Sequence, residues 1–430
     1  MRRRLIELLG VECVLMVLAL VFHMQISAAI ITGMIGLFLL PVADRFVKRA
    51  KDKRQEYQDV ACYMEQFLCS YKRTSLLGRT LEDCLILYEK DSIFYSVLKG
   101  AYHVLHTGER GEENISEQAL EVIYKKYPSR RMRMLHSYIV KAEEMGGDMS
   151  EALNILLRDL EYWKERQIVF QKKKRILVKE CILSTFLSIV LCFVSYLLVP
   201  AAFRSTLVKS AYYQVAMVIF LSAIMILLVW LCYCASGNWL DTVKDTSETE
   251  KWQQEKNYEL VREKKRTVAG YFAMRRMRAE IQREFPYWLL SVLLFLQQDS
   301  IYRAVKSSVW NIEGVFRREV ELFLDELYEN PTSFQPFQNF FKEYNLPEIR
   351  SGMKLLYSFQ NNGYEDTSKQ IYFLIEQNNL AMNQVEKKQL DNELTSLGLL
   401  RQFPMLFASG KIILDLVIVL MITMGKYFVG

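Results

Sequence analysis

The chain has 430 residues, of which 51% are hydrophobic and 24% charged, with a formal net charge of +6. Two such populations have to be segregated along the chain, which argues against a simple soluble globule and for a membrane protein. The positive balance is a poor argument for nucleic acid, because Lys and Arg gather beside apolar runs, where each is worth about 1 kcal/mol against anionic lipid.

Arg2, Arg3 and Arg4 precede the first apolar run, 5–24, which carries Glu7 and Glu12; a carboxylate in lipid is costly unless paired or near the interface. This start has the form of a signal peptide, with Ser27, Ala28 and Ala29 as the small residues. A second run, 26–43, follows at once, so the spacing predicts a retained hairpin. Its tip, His23 to Gln25, has no Lys or Arg, whereas Arg45, Lys48, Arg49 and Lys51 follow it, which places both flanks in the cytoplasm.

From 44 to 180 Pro and Gly are scarce and apolar residues recur at helical spacing: Tyr63, Met64, Phe67, Leu68 and Tyr71, then Leu81, Cys84, Leu85 and Tyr88. A helical bundle is expected, opening on a short apolar helix at 60–68. The stretch Glu143-Glu144-Met145-Gly146-Gly147-Asp148-Met149-Ser150-Glu151 predicts a glycine cap ending one helix. Asp148 three residues before Glu151 then forms a capping box opening the next. That helix puts Leu153, Leu156, Leu160 and Trp163 on one face and runs on through Lys172, Lys173, Lys174 and Arg175.

Two further spans are expected at 181–203 and 212–235. The basic run lies before the first of them and only Arg204 and Lys209 between them, so the connecting loop is outside. By parity 237–410 returns to the cytoplasm. A charged helix over 241–284 reads as a solvated or juxtamembrane stalk, and the apolar 285–296, too short to cross a bilayer, as a buried core helix. Asn330-Pro331 and Leu346-Pro347 mark loops. A last span at 412–429 carries Asp415 four residues after Lys411. The expected fold is all-α: a multi-pass membrane protein with about five transmembrane helices and two related cytoplasmic helical domains. Its segments are a hairpin (1–43), domain 1 (44–180), spans three and four (181–236), the charged helix with domain 2 (237–410) and span five (411–430).

The relation between the two domains comes from an internal repeat: Lys125-Lys126-Tyr127 and Lys342-Glu343-Tyr344 share the offset of Gly146 and Gly363, and the order of features recurs. Eight cysteines contain no CxxC pair and sit in spans or on the reducing side, so neither a disulfide nor zinc is expected.

The run Ala142 to Leu153, then Leu160-Glu161, Lys164-Glu165-Arg166, the basic Gln171 to Arg175 and a span ending in Val199-Pro200-Ala201-Ala202, resembles the type II secretion system F domain. That domain belongs to the inner-membrane platform proteins of type II secretion, type IV pilus and Tad (Flp) pilus machines. The resemblance covers about residues 55–430, and the preceding hairpin is similar to the Tad-type members. It implies a non-enzymatic platform without cofactor, in the cytoplasmic membrane with its N-terminus in the cytoplasm. Its implied partners are a cytoplasmic secretion ATPase, pilin-like subunits, lipid and other platform subunits, with no nucleic acid.

No G-x-x-x-x-G-K-[ST] loop, H-E-x-x-H or G-x-S-x-G occurs, which leaves catalysis without a sequence motif. The partner-binding candidates are Glu143, Glu144, Gly146, Gly147, Asp148, Lys172, Lys173, Lys174, Arg175, Gly363 and Asp415. Each has a plainer reading beside it. Glu143 and Glu144 read as a solvated helix end, Lys172 to Arg175 as a lipid-facing collar, and Asp415 as an i,i+4 pair with Lys411 snorkelling to the cytoplasmic interface. The rival functions are a membrane transporter or channel and a sensory scaffold.

Overall fold

A computed structural model describes residues 2–107, 115–146, 149–237, 255–259, 261, 268–297, 299–309, 312–361 and 367–428. Among them every regular element is helical and none is a strand. The helices are α1 (Arg2–Val21), α2 (Ile26–Thr74), α3 (Leu77–Leu85), α4 (Ile93–Thr107), α5 (Ile115–Lys126), α6 (Arg130–Met145), α7 (Ser150–Leu198), α8 (Ala201–Lys209) and α9 (Ala211–Ala235). After them come α10 (Val268–Leu296), α11 (Ile301–Ser308), α12 (Gly314–Glu329), α13 (Gln335–Asn339), α14 (Pro347–Asn361), α15 (Thr367–Leu400) and α16 (Phe403–Phe428). The chain divides into two compact units: Met1–Gln55, Gln167–Trp239 and Leu390–Gly430 form one, Glu56–Arg166 and Leu240–Gln389 the other.

Four stretches, each wholly or partly in the first unit, are long and apolar enough to cross a membrane: Ile26–Thr74, Ser150–Leu198, Ala211–Ala235 and Phe373–Met424. Only 17 to 33% of the residues in their most apolar windows are buried, so these helices turn most of their apolar surface outward, the reverse of a water-soluble core. Helix α1, the expected first span, has a shorter apolar stretch, Glu12–Val21. It lies close on α2, because a Cβ added at Gly36 would stand 2.8 Å from Leu15 Cδ1, and bare glycine backbone permits that approach. What is buried is narrow. One cluster joins Phe22, Cys192, Leu207, Tyr213, Phe220 and Ala408, and another joins Cys181, Leu227, Leu231, Leu397 and Leu400.

Three expected boundaries change. The helix expected over 181–203 ends at Leu198, because Pro200 supplies no N–H to continue it, and Arg204 caps the open end by donating to the carbonyls of Leu197 (2.6 Å) and Val199 (2.8 Å). The expected loop before 212 is largely the helix α8. The last apolar helix starts at Phe403, nine residues early, with Pro404 at its second position breaking it from α15. Gln214 binds this end of the unit together: it accepts from Gln25 N (2.9 Å) and donates to the carbonyls of Val208 (2.8 Å) and His23 (3.4 Å).

In the second unit the predicted core positions Tyr63, Met64, Phe67, Leu68, Tyr71, Leu81 and Cys84 are buried. The stretch 60–68 is, however, no separate short helix but part of the 49-residue α2. His136 sits in this core with its Nε2 2.9 Å from the Tyr63 hydroxyl, and burial lowers its pKa to about 3, so the ring stays neutral. Every residue from Phe285 to Leu296 is buried, as the end of α10 rather than as a helix of its own. No boundary exists at Glu284, and 241–254, 260 and 262–267 of the predicted charged helix lie outside the described residues. Trp288 stacks on Phe340 (5.0 Å between centroids) and donates to Ser308 Oγ (2.9 Å).

Helix starts recur at the spacing of Gly146 and Gly363: Arg130 of α6 and Pro347 of α14, and Ser150 of α7 and Thr367 of α15, are each 217 positions apart. Residues 217 to 221 positions apart also touch. In the second unit Arg166 bonds Asn383 and Glu386; in the first, Ser184 donates to the Arg401 carbonyl (2.9 Å) and Arg401 to Glu180 (2.6 Å).

Candidate partner-docking site

Helix α3 begins against the usual rules. Its N-cap is Leu76, which has no side-chain acceptor to offer, and the residue before it, Ser75, holds φ of 51°, a left-handed conformation uncommon for a side chain other than Gly or Asn. The missing acceptor comes from elsewhere. Glu143, at the end of α6, takes the Leu77 N–H on Oε1 (2.8 Å) and the Ser116 hydroxyl on Oε2 (3.1 Å). Glu143 therefore caps α3 and ties it to the Ser116 side chain of α5, and is not simply a solvated helix end.

The turn so held borders an open cleft of about 320 Å³ lined by Leu76, Leu77, Gly78, Arg79, Leu105 and Glu143 among others. Leu76 stands 63% exposed at its rim. Ile86, at the far end of α3, and Ile93, at the start of α4, are 79% and 67% exposed. Arg79 and Glu82 form a surface pair at 3.4 Å across the rim. Burial, and after it the Glu143 carboxylate, push the Tyr71 hydroxyl up, so the wall behind the cap stays uncharged. A strained turn and an apolar N-cap displayed to solvent are local rule-breaks of the kind that accumulate where a protein is shaped for contact.

Replacing Glu143 by Ala removes the cap and is expected to cost about 1 kcal/mol in thermal unfolding, while Glu143→Gln, which keeps an acceptor, recovers most of it. Equal losses in the two variants would show that the carboxylate charge, and not the cap, is what counts.

The remaining sequence candidates scatter. Glu144 pairs with Lys141 (2.6 Å) at the surface, and Gly146 ends α6 with φ of 68° and ψ of −172°, a backbone glycine adopts easily but not the left-handed cap expected. Gly147, Asp148 and Gly363 lie outside the described residues, and with them the predicted capping box. Lys172, Lys173 and Arg175 are exposed, but Lys174 is not a member of a lipid-facing collar. It is buried over the Phe170 ring (5.6 Å) with Glu393 at 3.9 Å, and burial lowers its pKa. Asp415 forms the expected i,i+4 pair with Lys411, but inside the protein rather than at its surface. Because α16 starts at Phe403, Asp415 falls in its fourth turn. It pairs there with Lys411, both buried, and the Lys411 ammonium lies over the rings of Tyr213 (4.9 Å) and Phe22 (5.7 Å).

A second constellation escaped the sequence reading. Arg131 of α6, 4% exposed at its side chain, bonds Asp159 of α7 (2.9 Å) and Glu386 of α15 (2.6 Å). Arg166 of α7 (2.6 Å) and the Tyr287 hydroxyl of α10 (2.5 Å) bond the same Glu386. Burial by itself raises the Glu386 carboxyl, yet the guanidiniums of Arg131 and Arg166 outweigh it and hold the group below the ordinary carboxylate range. Two cations and two anions from three helices, with the Tyr287 hydroxyl from a fourth, thus close a neutral cluster.

No known family, no curated protein and no solved structure matches the chain.

Proposed function

We propose that this protein is the membrane platform of a pilus-assembly or type II secretion machine, coupling a cytoplasmic ATPase to pilin-like subunits in the cytoplasmic membrane. The observation that carries the reading is the order of parts. A helical region containing the Ala142 to Leu153 run is followed by two apolar helices, a second helical region whose helices start at the same spacing, and a final apolar helix. On this reading α1 is a fifth span, the N-terminus is cytoplasmic, the two helical regions are related copies, and the chain itself catalyses nothing. The α3 cleft is where the ATPase docks, since its exposed apolar rim and borrowed cap make it the most contact-ready surface among the described cytoplasmic residues.

The test places a photocrosslinking residue at Leu76 or Ile86 in cells that make the filament. The secretion ATPase is the expected adduct, and Leu76→Asp is expected to lower both the adduct and filament output about tenfold at unchanged membrane levels. ATP hydrolysis by the purified chain, or normal filaments in cells lacking it, overturns the reading. Substrate flux through the reconstituted protein would favour a transporter instead.

A further inference from the structure

We propose that the first three turns of α10 form a surface that lies on an anionic lipid headgroup layer. The proposal rests on the membrane reading above but concerns residues that reading does not use. Helix α10 buries Gly270, Ala273, Met277, Ile281 and Phe285 along one side, which fixes its rotation. The opposite stripe, at helical spacing i, i+3, i+4, i+7, i+8, is Val268, Tyr271, Phe272, Arg275 and Arg276. The first three are 76%, 67% and 53% exposed. Arg275, Arg276 and the neighbouring Arg278 are exposed too, and none of the three forms an ion pair or hydrogen bond among the described residues.

Two aromatic rings and a Val held out to water one turn before unpartnered guanidiniums have the chemistry of an interfacial helix. The apolar side chains enter the boundary between headgroup and acyl chain, Tyr presents its hydroxyl to the wet side, and Arg grips phosphate with paired N–H donors. Charge complementarity selects the occupant. Over the described residues 268–278 the sequence has Arg275, Arg276 and Arg278 and no acid. A field of one sign, with apolar side chains at its edge, matches an anionic bilayer surface better than a folded protein surface of mixed charge.

The test uses the full chain in nanodiscs made with or without phosphatidylglycerol in phosphatidylcholine. A nitroxide is attached at Phe272→Cys after the exposed Cys13, Cys62 and Cys69 are changed to Ser. With phosphatidylglycerol, collision of the label with a water-soluble nickel chelate is expected to fall about tenfold while collision with oxygen rises, the signature of entry into lipid. Without it, or with Arg275, Arg276 and Arg278 all changed to Glu, the label is expected to stay in water. Equal nickel accessibility in both lipids overturns the proposal, as does the same protection on adding RNA to the neutral discs, which would make the site a general polyanion surface. A chain that fails to enter nanodiscs at all would bring down the membrane reading and this proposal with it. A chain that enters with an unresponsive label brings down this proposal alone.

Discussion

Glu386→Gln is expected to remove about 3–5 kcal/mol of stability, a large share of the roughly 5–15 kcal/mol that a domain possesses. The reason is the charge left behind. Arg131 and Arg166 both point at this carboxylate, and Asp159 then remains the only anion for two cations in a buried place. Graded variants separate the components. Tyr287→Phe removes one hydrogen bond to Glu386 and is expected to cost about 1 kcal/mol. Arg166→Met leaves the Arg131, Asp159 and Glu386 group intact and is expected to fall between the two. Thermal unfolding of the purified chain reads all three, and a Glu386→Gln midpoint equal to wild type would show that the cluster contributes nothing.

Lys411→Met is the second large effect. Asp415 is 3% exposed, and Lys411 is the only hydrogen-bond partner it has among the described residues, its other oxygen having none. Removing the ammonium strands a carboxylate between Tyr213, Phe22 and the apolar face of α16, at an expected cost of about 3 kcal/mol. The double variant Lys411→Met, Asp415→Leu removes both charges from an apolar site and is expected to return to wild-type stability or exceed it. If the double variant is as unstable as the single one, the pair is not what limits stability there. Wild-type stability with lost filament output in the double variant would instead assign the pair a role in function.

The sequence disclosed what depends on local period. Tyr63, Met64, Phe67 and Leu68 are buried where their spacing put them, and the outward-facing apolar helices follow from composition alone. The charged groups were harder to read because their partners lie far along the chain. Arg131 stands in the run Arg130 to Arg133 and looks like a basic surface, yet its acids are 28 and 255 positions away. Lys174 was misjudged for a geometric reason: consecutive residues on a helix point about 100° apart, so four in a row cannot all face lipid, and one of this run turned inward. Glu143 reads from the sequence as a solvated helix end because nothing in its neighbourhood shows that Leu77, 66 positions earlier, uses it as a cap.

The side chain of Gln214 has a consequence for synthesis. Its amide holds the turn between α1 and α2 through Gln25 and His23, residues 189 and 191 positions upstream. A ribosome will have finished both arms of that first hairpin long before the amide exists, and about half the chain must be made before the clasp can shut. Until then nothing from the clasp restrains the hairpin, so in a nascent-chain experiment its turn is expected to lock only once Gln214 has been made.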